Sequence, residues 1–145
     1  MVIIGLVDIL GYLIYSMKNK NIIIISASAF LLSINFILFP YLHRREATHI
    51  VESVIKSWEA NDLSYAFNAW ENMQKSPPIY DLVSGEITKR IFDRKNGVRH
   101  ALIYARLEFH DNSTLPSGKE WVFELSRTRL GWKVINFYMA KDQPE

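Results

Sequence analysis

Cysteine is missing from all 145 residues, which excludes a disulfide framework and thiolate chemistry while leaving the compartment open. Glycine is nearly as scarce: six residues, scattered singly, build no phosphate-cradling loop. Neither a GxSxG elbow nor an HExxH pair occurs. No basic run exceeds the pair Arg44 and Arg45, and the formal net charge is only +2, so nucleic acid is not an expected partner. The four histidines, His43, His49, His100 and His110, lack ligand spacing, and no metal or other cofactor is expected. Charge is missing in one place above all. Up to residue 42 only Asp8, Lys18 and Lys20 are charged at neutral pH, whereas from His43 onward charges come at the density of a water-soluble domain.

Residues 22–39 (IIIISASAFLLSINFILF) are eighteen without a charge. As a helix they reach about 27 Å, close to the hydrocarbon core of roughly 30 Å. Ser26, Ser28, Ser33 and Asn35 are the only polar side chains, and a serine can bond back to its own helix carbonyls. Pro40 reads as the end of this span. Tyr41, His43, Arg44 and Arg45 then form an aromatic and basic margin suited to lipid head groups.

Residues 2–17 (VIIGLVDILGYLIYSM) read either as a second, shorter span or as an interfacial or signal-like helix, with a polar turn at 18–21. A cleavable secretory signal fits poorly, because no basic region precedes the apolar stretch and no small-x-small site follows it. Asp8 near the middle costs about 2.5–3.5 kcal/mol in the bilayer unless protonated or paired. As intramembrane polar groups, Asp8 and Asn35 would face protein, on a neighbouring helix or on another subunit. Lys18 and Lys20 balance Arg44 and Arg45, so the positive-inside rule sets no orientation. Residues 1–42 are thus expected to be a membrane anchor.

Beyond the anchor, residues 43–140 read as one α+β domain. In 46–60 the apolar Ala47, Ile50, Val51, Val54, Ile55 and Trp58 follow helical spacing, with Glu46, Glu52, Lys56 and Glu59 on the other face. A second helix is expected over 63–73. Ser76, Pro77 and Pro78 predict the start of a short third helix over 79–84, ending at Gly85. The remainder reads as strands over 86–94, 98–110, 120–128 and 132–140, the first two joined at Asn96–Gly97, a strong hairpin signal. Residues 141–145 read as a polar tail.

Strict alternation puts Ile103, Ala105, Leu107, Phe109, Trp121, Phe123, Leu125, Ile135, Phe137 and Met139 on a core face. It puts Tyr104, Arg106, Glu108, His110, Val122, Glu124, Ser126, Trp132, Val134, Asn136 and Tyr138 on the opposite one.

Helices followed by a long-stranded antiparallel sheet, closed by a Gly131-Trp132-x-Val134-x-x-Phe137-Tyr138 strand, resemble the NTF2-like (cystatin-like) cone fold over residues 46–140. The resemblance implies a curved sheet wrapping its first helix, with a cone mouth that holds a ligand or is filled. Anchored bacterial members include VirB8-like secretion scaffolds, and mitochondrial Tim44-like relatives work beside a membrane. This chain is similar to them in layout only, and its possible two spans depart from the single VirB8 span. The likeness implies a bacterial inner membrane with the domain outside the cytoplasm.

Enzymes of that fold use an acid or base inside the cone, which makes Glu108, His110, Glu124, Asp81 and Tyr104 the residues to weigh. Alternation sets Glu108, His110 and Glu124 away from the core, where a cross-strand charge network with Arg106 is the simpler reading. Tyr104, Arg106, Glu108, Trp132 and Tyr138 are the expected interface residues, since aromatics with Arg on a sheet face suit protein contacts. The expectation is a membrane-anchored, non-catalytic subunit that assembles or stabilises a membrane protein complex, with lipid and other subunits or a second copy as partners. A ligand-binding or enzymatic cone domain, or a VirB8-like scaffold, are the alternatives.

Overall fold

The computed structural model describes residues 8–11 and 20–141. The chain forms two compact units, Met1–Leu42 and His43–Glu145. Residues 8–11 are helical and Asp8 is exposed, while the rest of the expected first span and the tail past Lys141 lie outside the described residues.

Helix α1 (Lys20–Ser33) runs into a π turn (Ile34–Leu38) and then into α2 (Phe39–Glu59), so the chain is helical from Asn21 to Glu59. The polar turn expected at 18–21 is therefore helix from Lys20 onward. This one helix is long and apolar enough to cross a membrane. Helix α1 shows no preferred apolar face, and its isoleucines stand exposed. Ser33 Oγ donates to Ala29 O (2.8 Å) and Asn35 Nδ2 to Leu31 O (3.0 Å), each bonding back to its own helix.

Pro40 does not end the helix but lies in the first turn of α2. Proline lacks the N–H of a regular turn and its ring crowds the carbonyl four residues back. The preceding π turn, in which the Phe39 N–H reaches Ile34 O, widens the helix at that position and accommodates the ring.

In the second unit α2 buries Ala47, Val51, Val54, Ile55 and Trp58, the stripe its spacing predicts. Asn61 takes a left-handed φ of 55° beyond its end, and Asp62 caps α3 (Leu63–Ala69), accepting from Ser64 N at 2.9 Å. The Ser64 hydroxyl and N–H hold the Asp62 carboxyl below its ordinary range.

Helix α3 is shorter than the pattern over 63–73 implies. Trp70 turns extended and bridges Val134 in parallel, Glu71 N–H bonds Val134 O (2.9 Å), and Met73 falls exposed in a 3₁₀ turn (Met73–Lys75). The expected third helix over 79–84 is absent. Residues 76–81 run without regular structure and Leu82 already opposes Phe109, so pairing along β2 overrides the local Ser-Pro-Pro start signal.

Four antiparallel strands, β1 (Leu82–Lys95), β2 (Val98–Phe109), β3 (Lys119–Thr128) and β4 (Gly131–Met139), lie in the order β1-β2-β3-β4. Asn96 and Gly97, at φ of 52° and 79°, make the first hairpin turn as expected. Register breaks occur at Val83, Thr88 and Ile135, each an extra residue that bends its strand. The core is aromatic: Trp58 lies 5.8 Å from both Trp70 and Phe123, and Trp121 stacks on Phe137 at 4.9 Å.

Gly85 pairs with Leu107 on the core side, and its N–H bonds Glu59 Oε1 at 2.9 Å. A Cβ there would stand 2.6 Å from Ile55 Cγ2 and 2.9 Å from Leu107 Cδ2. Gly85→Ala is therefore expected to destabilise the domain by about 1–3 kcal/mol through overpacking, read as a lower midpoint in urea. An unchanged midpoint would refute the close approach.

Candidate functional site

The sheet face turned away from α2 is ordered in cross-strand rows, because opposed residues share a face. The first row is Asp93, His100, Ser126 and Lys133; the second, Ile91, Leu102, Glu124 and Asn136. The third is Lys89, Tyr104, Val122 and Tyr138, and the fourth Glu86, Arg106 and Glu120.

Where the first two rows meet lies a polar cluster. His100 is buried at 5 % exposure and its Nε2 lies 2.8 Å from Glu124 Oε1. Asn136 Nδ2 donates to Glu124 Oε2 at 2.7 Å, and Lys95 Nζ stands 3.8 Å from Oε1. Burial pushes the Glu124 carboxyl up, but the hydrogen bonds from Asn136 and His100 and the charges of His100 and Lys95 outweigh it, so the group titrates below its ordinary value. An ionised carboxylate only accepts, hence His100 Nε2 carries the shared proton. Nδ1 lies 3.3 Å from Asp93 Oδ1 without hydrogen-bonding geometry.

Ser126 faces His100 directly across the strands, which would set a serine beside a histidine and an aspartate. The imidazole is committed to Glu124, and no bond joins it to Ser126. The row therefore lacks the nucleophile–base hydrogen bond that activates a serine. Among the described residues no group of three His, Cys, Asp or Glu side chains is placed to hold a metal ion.

Glu124→Gln tests this cluster. Because the folded carboxyl titrates low, its stabilisation is present above the ordinary glutamate value of 4.5 and is lost as pH falls through the lower folded value. The variant should lose about 1–3 kcal/mol at pH 7 and show a flatter decline of stability below pH 4.5. Identical acid limbs in the two proteins would refute the assignment.

The third row forms a groove of about 610 Å³. Val122, at 2 % exposure, is its floor between Tyr104 and Tyr138, and Lys89 Nζ sits 5.5 Å above the Tyr104 ring. Desolvation first, then the nearby Glu124 and Tyr104, hold the Tyr138 hydroxyl protonated beyond its ordinary 10.0.

Of the expected interface residues, Tyr104, Arg106, Glu108 and Tyr138 share this face, and Trp132 does not. The extra residue at Ile135 shifts the alternation, so Trp132 and Val134 turn into the core, Trp132 packing edge-on to Phe92 at 6.5 Å. The expected network around Arg106 also differs. Glu124 binds His100 and Asn136, and Glu108 accepts from Ser117 Oγ (2.8 Å), while Arg106 stands opposite Glu86 and Glu120. His110 is exposed past the end of β2, its backbone N–H bonded to Asp81 O at 3.1 Å, and Asp81 is half-buried just before β1.

At the expected lipid margin Tyr41 and Arg45 are exposed. His43 Nδ1 lies 3.7 Å from Glu46 and Arg44 sits over the Phe92 ring at 5.6 Å. The buried His100 has a signal in the sequence: counting back from Asn96–Gly97 pairs Lys95 with Val98 and Asp93 with His100.

Compared with protein-family models, with curated proteins and with solved structures, the chain matches none.

Proposed function

We propose that this chain is a membrane-anchored, non-catalytic subunit that assembles or stabilises a membrane protein complex, its second unit being an NTF2-like domain. The observation carrying this reading is a helix whose apolar residues, Ile34 apart, are exposed along 22–39, continuous with a helix whose far end closes an aromatic core. An all-round apolar helix with no buried side chain among the described residues of 22–39 is suited to lipid or to other spanning helices.

In the domain, the only buried polar or charged residues among those described are Ser57, Ser76 and His100. Trp58, Trp70, Phe123 and Phe137 fill the interior where a cone-shaped enzyme would hold its acid or base. Exposed Arg106 and Tyr138, with half-buried Tyr104, are the partner-facing groups. Placement outside the cytoplasm of a bacterial inner membrane is what the NTF2-like resemblance implies, and protease accessibility in intact cells against inverted vesicles decides it.

The test is solubilisation of the full chain in mild detergent, followed by native gel separation. The expected result is migration in an assembly far larger than the 16.9 kDa chain with its micelle, with Arg106→Ala plus Tyr138→Ala releasing free chain. A lone monomer in both proteins would overturn the proposal.

A further inference from the structure

The groove on the outer sheet face has a chemistry of its own. Its floor is Val122, its walls are Tyr104 and Tyr138, and three lysines line it: Lys89 on β1, Lys119 at the start of β3 and Lys141 just past β4. Among the described residues none of these lysines pairs with a carboxylate. The one acid in the lining, Glu120, is already engaged by the Thr88 hydroxyl at 2.5 Å and opposes Arg106. Cations thus flank an apolar, aromatic centre.

From β1 to β4 is three strand spacings, about 14 Å, which roughly four residues of extended chain cover at about 3.3 Å each. In such a chain positions i, i+2 and i+4 point the same way. We infer that the groove binds an extended segment of a partner protein reading acid-x-aromatic-x-acid, the aromatic ring on Val122 between the tyrosines and the acids on Lys89 and Lys141. This names the partner chemistry for the assembly role and rests on that reading.

A second copy of the chain fits poorly. Acids four apart with an apolar residue midway occur only at Glu120, Val122 and Glu124, and these lie within β3 itself. An anionic bilayer also fits less well, since the carboxylate of Glu120 stands in the lining among the lysines.

The experiment is fluorescence anisotropy on the full chain in dodecylmaltoside, with a labelled peptide Ser-Asp-Thr-Phe-Thr-Asp-Ser. Saturable binding is expected, weakened about tenfold when lysines replace the two aspartates, when alanine replaces the phenylalanine, or by Tyr138→Ala. The double variant Lys89→Glu, Lys141→Glu should lose the acidic peptide and gain the lysine one, a reversal that misfolding cannot produce. Equal binding of both peptides to the wild type would overturn the inference. So would displacement of the peptide by phosphatidylglycerol added as mixed micelles, or a sedimentation shift to dimer abolished by the double variant. If the wild type migrates in a large assembly yet ignores the peptide, this inference fails alone; if it migrates as a lone monomer, the assembly role fails with it.

Discussion

Trp58→Ala is expected to remove about 3–5 kcal/mol of domain stability, a large share of the roughly 5–15 kcal/mol that holds a domain of this size. Trp58 has no exposed surface, and its ring meets Trp70, Phe123 and Phe137 at 5.8, 5.8 and 5.5 Å. It therefore joins α2 to the segment after α3 and to both β3 and β4. Among the described residues its Nε1 has no hydrogen-bond partner, so the loss on truncation is one of packing. The check is urea unfolding followed by far-ultraviolet circular dichroism, with Trp58→Phe as the milder companion because it keeps a ring in place. A midpoint within error of the wild type would mean that the aromatic cluster does not hold the fold.

Charging the apolar helix should have an effect of similar size on a different property. An arginine near the centre of a spanning helix costs about 2.5–3.5 kcal/mol and one nearer the margin less, so Leu31→Arg with Ile25→Arg adds on the order of 4 kcal/mol, or about three decades in the insertion equilibrium. Both positions are exposed, at 66 % and 60 %, so the domain's core loses nothing. After carbonate extraction the wild type is expected in the membrane pellet and the double variant outside it. The intact mass of the pelleted chain separates an anchor, which remains attached, from a signal segment, which is cut away. Continued pelleting of the double variant would remove residues 22–39 from the role of anchor.

Helix α2 is legible from spacing because one repeating stripe, Ala47 to Trp58, serves one buried face. The first hairpin is legible because Asn96 and Gly97 tolerate the left-handed backbone that its turn demands. Local rules fail where distant segments compete. The pattern continues helical past Ala69, but Trp70 gains more by entering the core and bridging β4. The Ser-Pro-Pro signal is genuine as local chemistry, yet β2 offers a full-length partner from Leu82 onward. Alternation places Tyr104, Arg106 and Tyr138 on the correct face, then misplaces Trp132, since one extra residue at Ile135 inverts everything before it in β4.

Taken alone, the amino-acid order determined an uncharged stretch long enough for a bilayer, an α+β remainder and the position of the tight turn, because hydropathy and backbone preference act over a few neighbouring residues. The folded chain alone decided where β4 bulges, how Pro40 is carried inside a helix, and that His100, Glu124 and Asn136 from three strands meet in one hydrogen-bonded cluster. Those outcomes depend on strand register and on contacts between residues far apart in the chain, which no local pattern encodes.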